Sequence, residues 1–203
     1  MPKPSVIVFD LGKVLLDFDY SIAARRLGAQ CHLAVDEVRK HLDHSPLLYE
    51  FETGMLSIDQ FFAEICARTK FSGTQSEFSE FFADIFIPIA PMVEIHEQLR
   101  AKGFPTWIFS NTNILAIGHI RKRFPFFKNF TGYVLSYEHG AMKPDPKIYE
   151  VVERETGRRG SEILYLDDRP ENIETGIQRG WQTILQETPE KTRAALERAR
   201  LLT

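Results

Sequence analysis

The sequence predicts an α/β fold, specifically a Rossmann-like, doubly wound parallel sheet with an inserted all-helical cap. Three observations lead to this prediction. Short apolar runs alternate with helical patterns in the second half of the chain, several runs end in polar or acidic residues, and a long helical stretch follows the first run. A chain of 203 residues is long enough for one large domain or for a domain with an insertion.

Five short runs read as strands because they are rich in β-branched, aromatic and other apolar residues. They are VIVF (6–9), TWIF (106–109), YVL (133–135), ILYL (163–166) and TIL (183–185). Apolar spacings of three and four predict helices at residues 92–102, 114–123, 146–156 and 171–179. Glycine follows three of these helices where a C-terminal cap belongs, at Gly103, Gly157 and Gly180. This alternation predicts a parallel sheet with helices on its faces.

The stretch after the first strand reads as successive helices without a strand between them. Its segments are SIAARRLGAQ (21–30), AVDEVRKHL (34–42), SIDQFFAEICART (57–69) and SEFSEFFADIF (76–86). We therefore expect an α/β core domain formed by residues 1–18 and 88–203, and a helical cap domain formed by residues 19–87. Phenylalanines in the cap favour a small bundle with its own core, and an aromatic ligand pocket is the alternative. These are Phe51, Phe61, Phe62, Phe78, Phe81, Phe82 and Phe86.

Composition narrows the classes of partner. A net charge of −3 with no basic bias argues against nucleic-acid binding. No apolar stretch approaches the roughly 18 residues that a membrane span needs, and the first apolar run is too short for a signal peptide, so we expect a cytoplasmic protein without a membrane partner. Cys31 and Cys66 form no CxxC pair, and we expect buried free thiols. The oligomeric state is not readable from the sequence.

Acidic residues follow two of the predicted strands. Asp10 ends the first strand, with Gly12 allowing a tight turn, and Asp167 and Asp168 follow a later one. Because ligands bind beyond the carboxyl ends of parallel strands, we expect these acids to meet there. Such a cluster requires a cation, and hard oxygen ligands suit Mg²⁺. Pairing of one acid with Arg169 is the alternative.

Two further motifs are suited to a phosphate group. Ser110 and Asn111 lie in FSNTN, where a strand gives way to a helix, and hydroxyl and backbone N–H groups at such a junction bind anions. Lys143 precedes Pro144 and can neutralise both a phosphate and an attacking carboxylate. Asp10 is a candidate nucleophile that forms an aspartyl-phosphate. The alternatives are ordinary helix caps, an exposed lysine and an acid that caps a turn.

The order of these motifs resembles that of the haloacid dehalogenase superfamily of hydrolases. Asp, Ser/Thr, Lys and an acidic pair each lie near the end of a predicted strand, and the helical insertion is similar to the superfamily's small cap. The segments DLGKVLLDFD, EFETGMLSIDQF, FSNTN, MKPDPKIY and DDRPENI resemble the subgroup that contains bacterial alpha-D-glucose-1-phosphate phosphatase.

This resemblance implies a Mg²⁺-dependent phosphatase that acts on a small phosphorylated metabolite through an aspartyl-phosphate intermediate. The site residues it implies divide into three groups. The nucleophile is Asp10, the phosphoryl group is held by Ser110, Asn111 and Lys143, and Mg²⁺ is bound by Asp10, the Gly12 carbonyl and Asp168 with Asp167 assisting.

The sequence departs from the family at position 12, where the commonest pattern has a second aspartate that protonates the leaving group. Gly12 has no side chain for this purpose. A general acid contributes on the order of a hundred- to ten-thousand-fold, so its absence favours a sugar 1-phosphate, an acyl phosphate or an aryl phosphate over a simple alkyl phosphate. Asp17 and Asp19 are candidates for a substitute acid or a ligand of sugar hydroxyls, and solvated loop acids are the alternative.

Two other functions stay open. Metal-independent 2-haloacid dehalogenases of the same superfamily also lack the second aspartate, although Asp167 and Asp168 would then be an unexplained charge cost. Loss of the acid at position 12 is also compatible with a phosphate-binding regulatory protein of low turnover.

Overall fold

The computed structural model describes residues 2–31 and 33–202. The strands are β1 (Val6–Phe9), β2 (Leu16–Phe18), β3 (Phe86–Pro88), β4 (Thr106–Ser110), β5 (Gly132–Leu135), β6 (Ile163–Asp167) and β7 (Gln182–Leu185). Five of them form one sheet in the order β5-β4-β1-β6-β7, in which every neighbouring pair is parallel. All five strands predicted from apolar runs are confirmed, as is the parallel arrangement.

Helices flank this sheet and fill the insertion. They are α1 (Tyr20–Gly28), α2 (Val35–Leu42), α3 (Pro46–Glu52), α4 (Ile58–Thr69), α5 (Gln75–Ala83), α6 (Ala90–Ala101), α7 (Ile114–Arg123), α8 (Ser136–His139), α9 (Pro146–Thr156), α10 (Pro170–Gln178) and α11 (Pro189–Arg198). The periodicity predicted α7 and α9 with the bounds observed. Short α3 was not predicted, although Ser45 accepts a hydrogen bond from Leu48 N as its N-cap and Pro46 follows at the first helical position.

Strand β1 is central and lies between β4 and β6, with Val8 opposite Trp107 on one side and Tyr165 on the other. Its alternate side chains enter two separate hydrophobic cores, Ile7 and Phe9 on one face and Val6 and Val8 on the other. Burial on both faces explains why the strand is an uninterrupted apolar run. Because its neighbours are parallel, the residues that follow β1, β4 and β6 meet at one edge of the sheet.

Helices α1 to α5 form the predicted all-helical insertion, and two short strands connect it to the sheet. Strands β2 and β3 pair antiparallel, with Asp17 opposite Ile87, so the chain enters and leaves the insertion side by side. This antiparallel pair was not predicted, because three residues are too few to show an alternating pattern. The domain boundaries between residues 18 and 19 and between 87 and 88 stay a prediction.

The insertion has an aromatic core of its own. Phe51, Phe61, Phe78 and Phe82 are at most 1% exposed, and the rings of Phe51 and Phe61 stack with their centroids 4.1 Å apart. Close packing of these rings with one another gives the insertion a solid interior. These four phenylalanines therefore stabilise a helical bundle, which agrees with the expectation of a small bundle with its own core.

Two expectations drawn from composition can be compared with the fold. Cys31 and Cys66 are free thiols, but both are half-buried and not buried as expected. Within the described residues, no helix combines the length and the apolar character that crossing a membrane requires.

Replacement of Phe61 by alanine is expected to lower the free energy of unfolding by about 3 to 5 kcal/mol, because the lost ring leaves a cavity between Phe51 and Phe82. Urea denaturation measures the change. Met55→Ala is the control, since Met55 is 68% exposed and its truncation should change stability by less than about 0.5 kcal/mol. Equal, small effects of both substitutions would contradict a packed interior in the insertion.

Candidate active site

Three acids meet at the carboxyl edge of the sheet. Asp10 follows β1, Asp167 ends β6 and Asp168 follows it, and one carboxylate oxygen of each lies within 4.8 Å of the others. The amide of Asp10 donates to the Leu166 carbonyl at 2.8 Å, which continues the β1–β6 pairing as far as the acid. The strand order thus brings together acids that are far apart in the sequence.

A buried lysine joins two of these acids. Lys143 Nζ lies 2.8 Å from Asp10 Oδ1 and 2.7 Å from Asp167 Oδ2, and it donates to the Phe109 carbonyl at 2.9 Å. Burial by itself would lower the pKa of Lys143, but the two carboxylates outweigh it and raise the pKa, so the side chain is charged at neutral pH. The alternative of an exposed surface lysine is wrong, since Lys143 is 4% exposed.

Asp167 is held by hydrogen bonds on both carboxylate oxygens. Its Oδ2 accepts from Lys143 Nζ and from the Tyr165 hydroxyl, while Oδ1 accepts from Arg169 N at 2.8 Å and from Asn172 Nδ2 at 2.9 Å. A carboxylate offers about four lone-pair sites, so these donors use its capacity. Asp167 therefore fixes the position of Lys143 and adds charge to the site, and Asp168 is the more available ligand for a cation.

Charge at this edge is not balanced by the protein alone. Burial raises the pKa of Asp10 to about 7 against the opposing effect of Lys143, and burial together with Asp167 raises the pKa of Asp168. The side chain of Arg169 pairs with Glu171 at 2.5 Å, and its charge only partly opposes the raised pKa of Asp168. The proposed Arg169 ion pair with the acids is therefore wrong, and the site retains an excess of negative charge.

Asn172, in the first turn of α10, is a further candidate oxygen ligand. Its Oδ1 is buried and has no hydrogen-bond partner among the described residues, while its Nδ2 is used by Asp167. A buried acceptor of this kind calls for a donor or a cation. Together with carboxylates of Asp10 and Asp168 it supplies the hard oxygen ligands that Mg²⁺ prefers, so the residues fit this ion. Asn172 was not predicted as a site residue, although DDRPEN places an amide one helical turn after the acids.

The FSNTN segment divides into residues with different tasks. Ser110 is 3% exposed at the end of β4, with its Oγ near the Asn111 carbonyl at 3.3 Å. The Asn111 side chain accepts from Lys143 N at 2.7 Å and donates to Lys143 O at 2.9 Å, so it clamps the lysine's backbone to the β4–α7 loop. Asn113 is the N-cap of α7 and accepts from Ala116 N at 3.0 Å. The helix-cap interpretation is therefore correct for Asn113.

Gly12 lies beside an aromatic ring that occupies the space of a side chain. A Cβ at position 12 would come within 2.8 Å of Phe18 Cε1. Phe18 is in turn packed against Tyr20 and Phe86, with ring centroids 5.8 Å and 6.0 Å away. An acid at position 12 would require these rings to move. The Phe18 ring of β2 therefore occupies the space that an aspartate at position 12, as in the commonest family pattern, would need.

The two candidate substitute acids line the cleft but have partners of their own. Asp17 pairs with the Lys13 ammonium, and this hydrogen bond lowers its pKa. Asp19 is the N-cap of α1, accepting from Ser21 N at 2.8 Å, and hydrogen bonds from Ser21 lower its pKa. Both carboxyls are ionised at neutral pH, which makes them poor proton donors.

The insertion covers the acidic edge and encloses a cleft of about 920 Å³. On the sheet side its walls include Asp10, Gly12, Ser110, Asn111, Lys143, Asp168 and Asn172. On the side of the insertion they include Tyr20, Arg39, Asp43, His44, Ser45, Tyr49 and Glu52. Charged side chains of both signs line both walls beside the apolar Phe18, Leu48 and Met142, and these charges suit a ligand with polar groups.

The fold and the site together define a doubly wound α/β protein with an acidic, lysine-paired site at the carboxyl edge of its parallel sheet. The chain matches the family model of haloacid dehalogenase-like hydrolases over residues 4–180 and belongs to that family. The resemblance seen in the motifs is confirmed at the level of the family, and the narrower subgroup stays a prediction.

Individual relatives agree with this assignment. The chain is 28% identical to D-ribitol-5-phosphate phosphatase of Bacteroides thetaiotaomicron over 192 residues, which cover 87% of this chain and 89% of the relative. Its fold matches a HAD-like family hydrolase from Porphyromonas gingivalis with a TM-score of 0.83 and 24% identity, over 97% and 98% of the two chains. A HAD family enzyme from B. thetaiotaomicron, solved with magnesium and inorganic phosphate, gives a TM-score of 0.79 at 18% identity over 90% and 93%. These two structures show the shared fold.

Asp167→Asn is expected to lower the stability of the fold, whereas Asp168→Asn is expected to weaken Mg²⁺ binding. Asp167→Asn breaks a buried, fully bonded ion pair and should lower the free energy of unfolding by about 3 kcal/mol or more. Asp168→Asn should leave stability without Mg²⁺ unchanged or increased, because a raised folded-state pKa means that the ionised carboxylate opposes folding above its unfolded pKa.

Urea denaturation with and without Mg²⁺ measures both effects. Wild type should gain stability as Mg²⁺ is added, and Asp168→Asn should gain much less. An unchanged Mg²⁺ response of Asp168→Asn would remove Asp168 from the metal site.

Proposed function

We propose that the chain is a Mg²⁺-dependent phosphatase that hydrolyses a small phosphorylated metabolite through an aspartyl-phosphate intermediate. The observation that carries this proposal is the buried Lys143 ammonium 2.8 Å from Asp10, next to the Asp168 carboxylate, which has no ion pair among the described residues. A cation at Asp168 and a phosphate next to Lys143 would complete the charge balance of this edge. Membership in a hydrolase family supports the same reaction class.

Asp10 is oriented for attack by contacts on one of its oxygens. Leu11 N donates to Oδ1 at 2.7 Å, and Lys143 Nζ lies 2.8 Å from the same atom. We assign the attack on phosphorus to the other oxygen, Oδ2. The attack forms an Oδ2–P bond while the bond from phosphorus to the leaving-group oxygen breaks, and water then cleaves the aspartyl-phosphate to inorganic phosphate. Ser110 and the charge of Lys143 would hold the phosphoryl oxygens.

Mg²⁺ would be held by Asp10, Asp168, Asn172 and the Gly12 carbonyl. When bound, the ion supplies charge neutralisation for the phosphoryl group and for the neighbouring carboxylates, which otherwise repel a dianionic substrate. Asp167 supports this arrangement by holding Lys143 and the amide of Asn172 in place.

For the substrate we propose a phosphorylated sugar or sugar alcohol. The cleft presents donors and acceptors of both signs from the insertion, which suit a leaving group with several hydroxyls. A relative 28% identical is named as a D-ribitol-5-phosphate phosphatase, which supports a polyol leaving group. A sugar 1-phosphate, favoured by the residue at position 12, is a second member of the same class.

Asp10→Asn is expected to abolish Mg²⁺-dependent phosphate release, because the amide cannot attack phosphorus, while the fold is retained. Phosphate release from p-nitrophenyl phosphate and from a panel of sugar and polyol phosphates, with and without Mg²⁺, measures it. Asp36→Asn is the control, since Asp36 is an exposed residue of α2 and should retain full activity.

Three results would contradict the proposal. Retention of most activity by Asp10→Asn would remove Asp10 as nucleophile. Halide release from 2-haloacids without metal would support a dehalogenase, for which the acidic edge would be a charge cost. Ligand-dependent thermal shifts without either activity would support a phosphate-binding protein.

A further inference from the structure

A phosphatase of this kind needs a source for the proton that its leaving group takes up. The 5-phosphate of a sugar alcohol releases an ordinary alkoxide, which leaves poorly without a general acid. Gly12 offers no proton, and the Phe18 ring fills the space where a side chain would stand. Asp17 and Asp19 have lowered pKa values because each is already hydrogen-bonded. The donor must therefore come from elsewhere in the cleft.

Asp43 and Glu52 both line the cleft from the insertion, but Asp43 pairs with Arg39 at 3.0 Å. Glu52 is the acid that has no such partner among the described residues. It is the last residue of α3 and lines the same cleft as Asp10, Ser110 and Lys143. Its side chain is half-buried, so it faces both the protein interior and the cleft. It lies within EFETG, which is part of one of the segments that resemble the haloacid dehalogenase family.

The end of α3 is fixed against the core next to the phosphate-binding loop. Ser136 Oγ, at the start of α8, donates to the Glu52 carbonyl at 2.6 Å and accepts from Thr112 N at 2.9 Å. Gly54 has φ +71°, and a Cβ there would collide with the Tyr137 carbonyl, so the turn after α3 lies directly on α8. These contacts hold Glu52 beside the loop that begins at Ser110.

The surroundings of Glu52 favour its protonated form. Burial raises the pKa of the carboxyl to about 7, and interaction with the Asn113 side chain opposes the shift. On α1 the facing titratable group is Tyr20, whose pKa is raised by burial, by Glu52 and by Asp43. The Asn113 side chain, from the β4–α7 loop, carries no charge, and Ser136 of α8 contacts the backbone carbonyl of Glu52 and not its carboxyl. A carboxyl with these neighbours can donate a proton near neutral pH.

We propose that Glu52 is the general acid of this enzyme and that it protonates the leaving-group oxygen from the insertion, in place of the residue missing at position 12. This inference rests on the proposed phosphatase function. As the Asp10 Oδ2–P bond forms, the bond from phosphorus to the leaving-group oxygen breaks, and this oxygen takes the proton of the Glu52 carboxyl. In the second step water attacks phosphorus and the Asp10–P bond breaks, the protons of the water leave with the phosphate as H2PO4−, and Glu52 regains its proton from solvent.

This assignment widens the substrate class beyond the one that the sequence favoured. With a proton donor present, phosphates of ordinary primary alcohols come within reach, including the 5-phosphates of sugar alcohols. Leaving groups that depart as stable anions, such as p-nitrophenolate, do not need Glu52. The two kinds of substrate therefore distinguish proton donation from every other contribution of this side chain.

Glu52→Gln tests the assignment, because glutamine keeps the size and polarity of the side chain and removes its acid. For D-ribitol 5-phosphate, kcat/KM should fall on the order of a hundredfold or more. For p-nitrophenyl phosphate it should fall by less than about threefold, since no proton is needed. Glu50→Gln, an exposed neighbour on α3, is the matched control and should retain both activities.

The pH profile gives a second readout. Because the protonated carboxyl is the active form, wild-type kcat with the polyol phosphate should decline as the pH rises through about 7. The decline should be absent with p-nitrophenyl phosphate and in Glu52→Gln. Glu52→Asp keeps an acid on a shorter side chain and should restore part of the polyol phosphate activity if Glu52→Gln folds poorly.

The outcomes separate the two proposals. Wild type without Mg²⁺-dependent phosphate release would overturn the proposed function itself. Wild-type turnover with equal losses for both substrates would make Glu52 a positioning residue, and a raised KM with unchanged kcat would make it a ligand of substrate hydroxyls; either result overturns proton donation alone. Titration of the Glu52 carboxyl by ¹³C NMR needs no turnover, and a pKa near the ordinary value of about 4.3 would also overturn it.

Discussion

The ammonium of Lys143 between Asp10 and Asp167 is the interaction on which the site depends. A charge removed from water is stable only with close partners and full hydrogen bonding, and here two carboxylates and the Phe109 carbonyl provide them. The partners come from β1, β4 and β6, which are neighbours only because of the strand order. Asn111 holds the backbone of the lysine from the loop after β4. The sheet and the site are therefore stabilised by the same contacts.

This interaction also explains what the site lacks. One lysine cannot neutralise three carboxylates, and burial, together with the charge of Asp167, raises the pKa values of Asp10 and Asp168. A divalent cation with oxygen ligands would offset the excess negative charge, and Asn172 Oδ1, which has no hydrogen-bond partner among the described residues, is a candidate ligand. The cation in turn allows a dianionic phosphate to approach Asp10. The positive charges of the metal and Lys143 would thus offset the negative charges of the carboxylates and of the substrate phosphate.

Local patterns predicted the elements of the sheet but not the contacts between elements. VIVF reads as a strand because its side chains are buried on both faces, and Asp10 could be placed at its end for that reason. Asp19 lines the cleft and also caps α1, and only the Ser21 contact shows that its carboxylate serves as the cap. The position of Glu52 depends on Ser136, which lies 84 residues away in the sequence. Periodicity contains no information about such a contact.

Placing the proton donor on α3 has a consequence for the whole molecule. An acid at position 12 would belong to the same loop as Asp10, and its distance to the substrate would be set by that loop alone. Glu52 instead reaches the substrate only when the inserted helices rest on the core through Ser136 and the turn at Gly54. Proton transfer is then available only in this arrangement, in which the cleft is also covered. Proton donation and coverage of the substrate therefore both depend on α3. Because the Phe18 ring packs against Gly12, the core has no acid of its own at position 12 and relies on Glu52.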